Sequence, residues 1–191
     1  MTDTILHLLY LTSSGSGSAI ISKSCKIVIG DEVDFWDTSN PLNLQNLKKR
    51  TRSYDASMCF LVCSPTEKSG KIWQEFLKGS QGYWHLRCQH CGELTMRSCD
   101  IRNLQFESTF REDLNVYTVK RGSERLVCPK CHFEHTEDMK RKMNVEGGYV
   151  HQVPEMLDVH PSYQIGALAS QLPALSWSEV AQAQLEARKD S

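Results

Sequence analysis

Three groups of residues have types and spacings that can do chemistry. The first is Asp31-Glu32, two adjacent carboxylates that end the apolar, β-branched run Ile27-Val28-Ile29-Gly30. Such a run, bounded by polar residues, reads as a buried strand of a parallel sheet, and ligands on such sheets collect at the carboxyl ends of the strands. In a nucleotide hydrolase the first acid, here Asp31, holds the magnesium ion and the second, Glu32, orients the attacking water. The pattern is a Walker B motif, although any strand ending in an acidic turn has the same outline. The second group is Ser64-Pro65-Thr66, at the carboxyl end of a second apolar run, Met58 to Cys63. Two small hydroxyl residues around a proline make a rigid polar turn suited to sensing a terminal phosphate. A plain strand-ending turn is the simpler reading of the same three residues.

The third group is the pair of knuckles Cys88-Gln-His-Cys91-Gly92 and Cys128-Pro-Lys-Cys131, separated by thirty-six residues. Two C-x-x-C pairs match tetrahedral zinc, each knuckle giving two thiolates. Four thiolates close the coordination shell, so the expected zinc is structural. Gly92 suits the positive-φ position that a knuckle turn often needs, where the second knuckle has His132. The nearby His85, His90, His132 and His135 are expected on the surface. Cys25, Cys59 and Cys63 lie on or beside apolar runs and read as small core residues, and Cys99 lacks metal spacing. With no export signal, the eight cysteines argue for reduced thiols rather than disulfides.

These groups must be held by an α/β frame. Leu8-Leu9-Tyr10-Leu11, Ile27–Ile29 and Met58–Cys63 read as buried strands, with Leu9, Leu11, Ile27, Ile29, Phe60 and Val62 as core. Helices are expected from Leu42 to Arg52, with Leu44 and Leu47 on one face, and from Ile72 to Lys78. Between the knuckles, Leu104–Phe106 and Val116–Val119 are strand-like and suggest a zinc ribbon with an elaborated hairpin. Beyond it come a charged helix over Glu137–Met143, a strand over Tyr149–Val153, an extended His160–Ile165 and a helix opened by the capping box Ser176-Trp-Ser-Glu179. The expected fold is therefore a partial P-loop-type (RecA-like) parallel sheet over residues 1–82, a zinc ribbon over 83–136 and a short α/β tail over 137–191.

One loop is a decoy. Gly17 to Ser24 reads G-x-x-x-x-S-K-S, one glycine short of a phosphate-binding P-loop, and runs almost directly into the next strand rather than opening a helix. The chain thus carries a Walker B motif without a Walker A motif. Its formal net charge of −1 gives no global attraction to nucleic acid. The local basic clusters Lys48-Lys49-Arg50 and Lys140-Arg141-Lys142 read as solvated helix faces. The apolar run Ile5 to Leu11 is too short to span a bilayer.

The order of these motifs resembles the large terminase subunit of tailed bacteriophages, lambda-type (GpA) family: Walker B, Ser-Pro-Thr, an aromatic lead-in, two knuckles, His-Pro-Ser-Tyr and a Ser-Trp helix. The likeness runs from Leu8 to Asp190. It implies an ATP-driven motor that packages viral DNA in the host cytoplasm and, through a C-terminal nuclease domain, cuts it. By position it implies that Asp31 holds magnesium, Glu32 is the catalytic glutamate and Ser64-Pro65-Thr66 couples hydrolysis to movement. Its implied cofactors are ATP and magnesium beside the structural zinc. Its implied partners are double-stranded DNA, a small terminase subunit and the capsid portal, with no membrane. On this resemblance the chain is expected to be the middle of a terminase, such as a prophage remnant, with the P-loop region ahead of Met1 and the nuclease beyond Ser191. Alternatives are a D-E-x-D helicase-like ATPase built on Asp31-Glu32-Val33-Asp34, and a zinc-ribbon DNA-binding or adaptor protein without catalysis.

Overall fold

The structure is a computed structural model that describes residues 24–36, 42–113 and 115–187. The strand expected at Leu8–Leu11, the decoy loop up to Lys23 and the turn before Leu42 lie outside the described residues. The chain divides into two units, one ending at Phe76 and the other beginning at Leu77.

In the first unit, strand β1 (Ile27–Asp31) pairs in parallel with β2 (Met58–Val62), in the register Ile27↔Met58 to Asp31↔Val62. The connection carries helix α1 (Leu42–Lys49), and helix α2 (Lys71–Lys78) follows β2. The parallel pairing expected from the sequence is present, but burial on both faces is not. Alternating side chains point to opposite faces, and one face carries Ile27, Ile29, Met58, Phe60 and Val62. All five are exposed, Ile29 at 68% and Phe60 at 51%. Ile27, Ile29, Phe60 and Val62 are therefore not core. Among the described residues, helical and aromatic cover lies on the other face, where Leu47 and Trp36 close on Gly30 and Leu61. Among the described residues of this unit, the buried apolar ones are Val33, Leu47 and Phe76. Lys48 bonds the buried Glu75 of α2, so that basic cluster is partly internal. Cys25, Cys59 and Cys63 are half-buried rather than core.

The second unit is built on strand β3 (Gly82–Arg87), which the sequence reading did not single out. Strand β10 (Gly148–His151) pairs antiparallel along one edge. Strands β4 (Leu94–Arg97, antiparallel) and β11 (Tyr163–Gln164, parallel) share the other. A second sheet runs β5 (Leu104–Gln105), β8 (Arg125–Val127), β9 (Glu134–His135), all antiparallel. Strands β6 (Ser108–Arg111) and β7 (Val116–Val119) form the separate hairpin between the knuckles. Helices α3 (Lys140–Val145) and α4 (Trp177–Ala187) complete the unit.

One core joins these pieces: Leu86, Met96, Leu104, Leu126, Met143, Leu168, Trp177 and Ala181 pack with Cys88 and Cys128. The capping box at α4 is half made. The Ser176 hydroxyl accepts from Glu179 N at 3.2 Å, while the Glu179 carboxylate turns to Arg121. Lys140 is buried, donating to Leu175 O and Glu137, so the second basic cluster is not a wholly solvated face. The outer edge of β7 is met by a side chain. Val119 N–H donates to Gln182 Oε1 at 3.0 Å, and Gln182 Nε2 donates to Tyr117 O at 3.3 Å. Among the described residues no helix is long and apolar enough to cross a membrane.

Candidate functional site

Parallel pairing fixes where the acidic turn and the hydroxyl turn meet. Because Asp31 stands opposite Val62, the segment after β1 and the segment after β2 leave the sheet at the same end. Asp31 is the last residue of its strand, and its Oδ1 accepts from Glu32 N at 3.0 Å. Glu32 takes the left-handed conformation, φ 51° and ψ 43°. That region costs a non-glycine residue free energy, and such costs collect at functional sites. The turn then closes as one turn of 3-10 helix, Val33–Phe35, with Val33 fully buried. Both carboxylates stay exposed at the sheet edge.

The two turns touch. The Cys63 thiol donates to Glu32 Oε2 at 3.5 Å, and burial raises the Cys63 thiol above its ordinary range. Asp34 Oδ2 accepts from Thr66 N at 3.4 Å and from Thr66 Oγ1 at 3.5 Å. The Trp36 indole N–H donates to Asp31 O at 2.9 Å, and Lys71 Nζ donates to Trp36 O. Asp31, Glu32 and Ser64–Thr66 are thus brought to one edge. The roles of Cys63, Trp36 and Lys71 had no signal in the sequence, and Asp34 stood out only as the last acid of a D-E-x-D box.

The four knuckle cysteines also converge, in the second unit. Both knuckles close by the same pair of backbone bonds. Gly92 N donates to Cys88 O and Cys88 N to Glu93 O; His132 N donates to Cys128 O and Cys128 N to Phe133 O. Each turn needs a residue at positive φ, met by Gly92 at 75° and by His132 at 58°. The four sulfurs lie within 4.8 Å of one another, with Cys88–Cys131 at 3.6 Å and Cys91–Cys128 at 3.9 Å. Thiolates at ~2.3 Å from a tetrahedral zinc stand about 3.8 Å apart, whereas a disulfide brings sulfurs to about 2.05 Å. The cluster therefore fits a four-thiolate zinc ion.

The four thiols differ in their electrostatics. Burial pushes the Cys88 thiol up to about 12. At Cys128 burial acts in the same sense, but the Thr95 hydroxyl and the backbone N–H groups of Cys131 and Lys130 outweigh it and bring the thiol to about 6. Thr95 Oγ1 lies 3.3 Å from Cys128 Sγ.

His135 corrects the expectation of a surface residue, because it is fully buried. Gln89 N–H donates to its Nε2 at 3.1 Å, so the proton sits on Nδ1, 2.9 Å from Leu126 O. Burial holds His135 below the ordinary histidine range. The neutral ring ties the first knuckle to the strand that leads into the second. His85 is likewise buried, and His90 and His132 are exposed as expected.

The order of acidic turn, hydroxyl turn and paired knuckles has a counterpart among known proteins. The family model described as phage terminase large subunit gpA, ATPase domain, matches residues 5–149. The chain belongs to this family. Membership in the gpA terminase family carries the class of an ATP-dependent phage packaging motor, and the match spans both the acidic turn and the two knuckles. No curated protein and no solved structure matches the chain.

Proposed function

We propose that the β1–β2 edge is the magnesium and hydrolysis half of a gpA terminase ATP site, in a RecA-like sheet. Asp31 holds the magnesium ion through its exposed carboxylate. Glu32 orients the attacking water. Ser64-Pro65-Thr66 relays the state of the nucleotide to the rest of the motor. The observation that supports this best is the parallel register that ends both strands at one edge, with Glu32 against Cys63 and Asp34 against Thr66. Phosphoryl transfer needs positioned charge rather than covalent chemistry, and paired carboxylates at such an edge supply it.

Cys88, Cys91, Cys128 and Cys131 hold a structural zinc ion. All four positions are thiolates, so no substrate site is left on the metal. Its contribution is to fix the two knuckles, and through Cys88 and Cys128 the core behind them. Double-stranded DNA is the cargo in this reading, with a small terminase subunit and the capsid portal as partners. Cutting of that DNA belongs to a nuclease domain of the whole motor.

The test separates the two acids. In a polypeptide where the Walker A segment of a gpA relative precedes this chain, Glu32→Gln should bind magnesium-ATP but turn over ~10²–10⁴-fold more slowly. Asp31→Asn should lose magnesium-dependent nucleotide affinity. Turnover by Glu32→Gln at the unmodified rate would remove Glu32 from the reaction.

A further inference from the structure

We propose that Asp34 is a positioning residue that couples the acidic turn to Thr66, resting on the reading of Asp31 and Glu32 given above. Its carboxylate joins three pieces of chain. Oδ1 accepts from Ile72 N at 2.7 Å, in the first turn of α2. Oδ2 accepts from Thr66 N at 3.4 Å and Thr66 Oγ1 at 3.5 Å. The side chain itself rides on the turn that begins at Glu32. An ionised carboxylate offers about four acceptor positions. Three are taken by protein donors, so Asp34 serves the fold of the site rather than the metal.

Two further observations make the joint specific. A Cβ at Gly70 would lie 2.5 Å from Asp34 Oδ2, so the carboxylate occupies the space that a side chain at residue 70 would fill. The turn carrying Asp34 is held from its other end, by the Trp36 indole on Asp31 O and by Lys71 Nζ on Trp36 O. The carboxylate also faces the first turn of α2, where the helix dipole favours negative charge. A shift of the Asp31–Glu32 backbone must therefore move Asp34, and with it Thr66.

The experiment follows backbone amides by NMR in the full 191-residue chain during titration with magnesium chloride alone. In the unmodified chain the Asp31, Glu32 and Thr66 amides should shift together with one apparent Kd. In Asp34→Ala and Gly70→Ala, Asp31 and Glu32 should titrate with affinity within about twofold, while Thr66 stops responding. Thr66 and Ile72 exchange should also rise about tenfold in Asp34→Ala, the loss expected for one charge-assisted bond. Asp34→Asn keeps an acceptor oxygen for Ile72 N–H and should recover part of the Thr66 response. A purely structural role predicts parallel changes at all three amides. Should Asp34→Ala fail to fold, Gly70→Ala carries the same comparison. Thr66 following magnesium unchanged in Gly70→Ala would overturn the coupling, as would a tenfold affinity loss in Asp34→Asn, which would make Asp34 a ligand. Silence of Asp31 and Glu32 in the unmodified chain would instead overturn the acidic pair as a magnesium site, and the coupling with it.

Discussion

Stripping metal from the four-cysteine cluster should unfold the second unit rather than merely loosen a loop. Cys88 and Cys128 are buried in the same core as Leu86, Leu126, Met143 and Trp177. Two thiolates 3.9 Å apart, the Cys91–Cys128 separation, repel by about 4 kcal/mol at an effective dielectric near 20. That is about three pH units of ionisation. The metal-free cluster therefore carries far fewer than four charges near neutrality, in keeping with Cys88 pushed up to about 12 and Cys128 brought to about 6. Zinc must displace the remaining protons, and roughly two to three should be released per zinc at pH 7. Zinc binding at four-thiolate sites is worth on the order of 10–16 kcal/mol in small peptides, comparable with the whole ~5–15 kcal/mol stability of an ordinary domain. The assay is chelator titration followed by near-ultraviolet circular dichroism, with proton release on re-addition of zinc read by indicator in weak buffer. Cobalt substitution should give thiolate charge-transfer bands. Acidification should release the ion, because protons and metal compete for the same sulfurs. A chelated protein that kept its aromatic dichroism and thermal transition would refute the reasoning, as would Cys128→Ser with one zinc per chain.

Further outcomes follow from other parts of the molecule. The 191-residue chain should not hydrolyse ATP at a measurable rate, since its sequence contains no complete G-x-x-x-x-G-K-[ST]. Turnover abolished by both Lys23→Ala and Glu32→Gln in an ATPase assay would show that Gly17–Ser24 is a working phosphate loop. His132→Gly should be neutral or stabilising by up to about 1 kcal/mol in thermal unfolding of the zinc-loaded protein, because it relieves a left-handed residue at φ 58°. Gly92→Ala should cost about 1–2 kcal/mol for the converse reason. On the bare face of the parallel pair, Ile29→Thr should change stability by no more than ~0.5 kcal/mol in denaturant titration. Val33→Ala, at a fully buried position, should cost about 2 kcal/mol.

What could be read from the residues depended on how local the signal was. The two C-x-x-C pairs announced their cluster because ligand spacing is set within each turn, and each turn supplies its own pair. The parallel pairing of Ile27–Asp31 with Met58–Val62 was legible from two apolar runs of matching length. Their burial was not, because an apolar run does not say whether one face or both receive cover. His135 looked like a surface residue beside a complete zinc site. It is buried, and its Nε2 is met by a backbone N–H of the other knuckle, at Gln89, a partner that spacing cannot reveal. β3 was missed because Gly82–Arg87 mixes aromatic, basic and apolar side chains in no clean alternation. The Asp34 joint depends on donors more than thirty residues away, at Thr66 and Ile72.

The amide of Gln182 has a consequence for how the protein behaves in a crowded solution. Strand β7 is the second strand of a hairpin, and its outer backbone groups would ordinarily invite another extended chain to dock. Gln182 accepts from Val119 N–H and donates to Tyr117 O. One glutamine side chain thus imitates a neighbouring strand and leaves that stretch closed to intermolecular pairing. A residue of α4, 63 positions further along the chain from Val119, thereby occupies the two groups of β7 through which another strand would begin to pair. Removal of that helix would leave Val119 N–H and Tyr117 O open to an incoming strand.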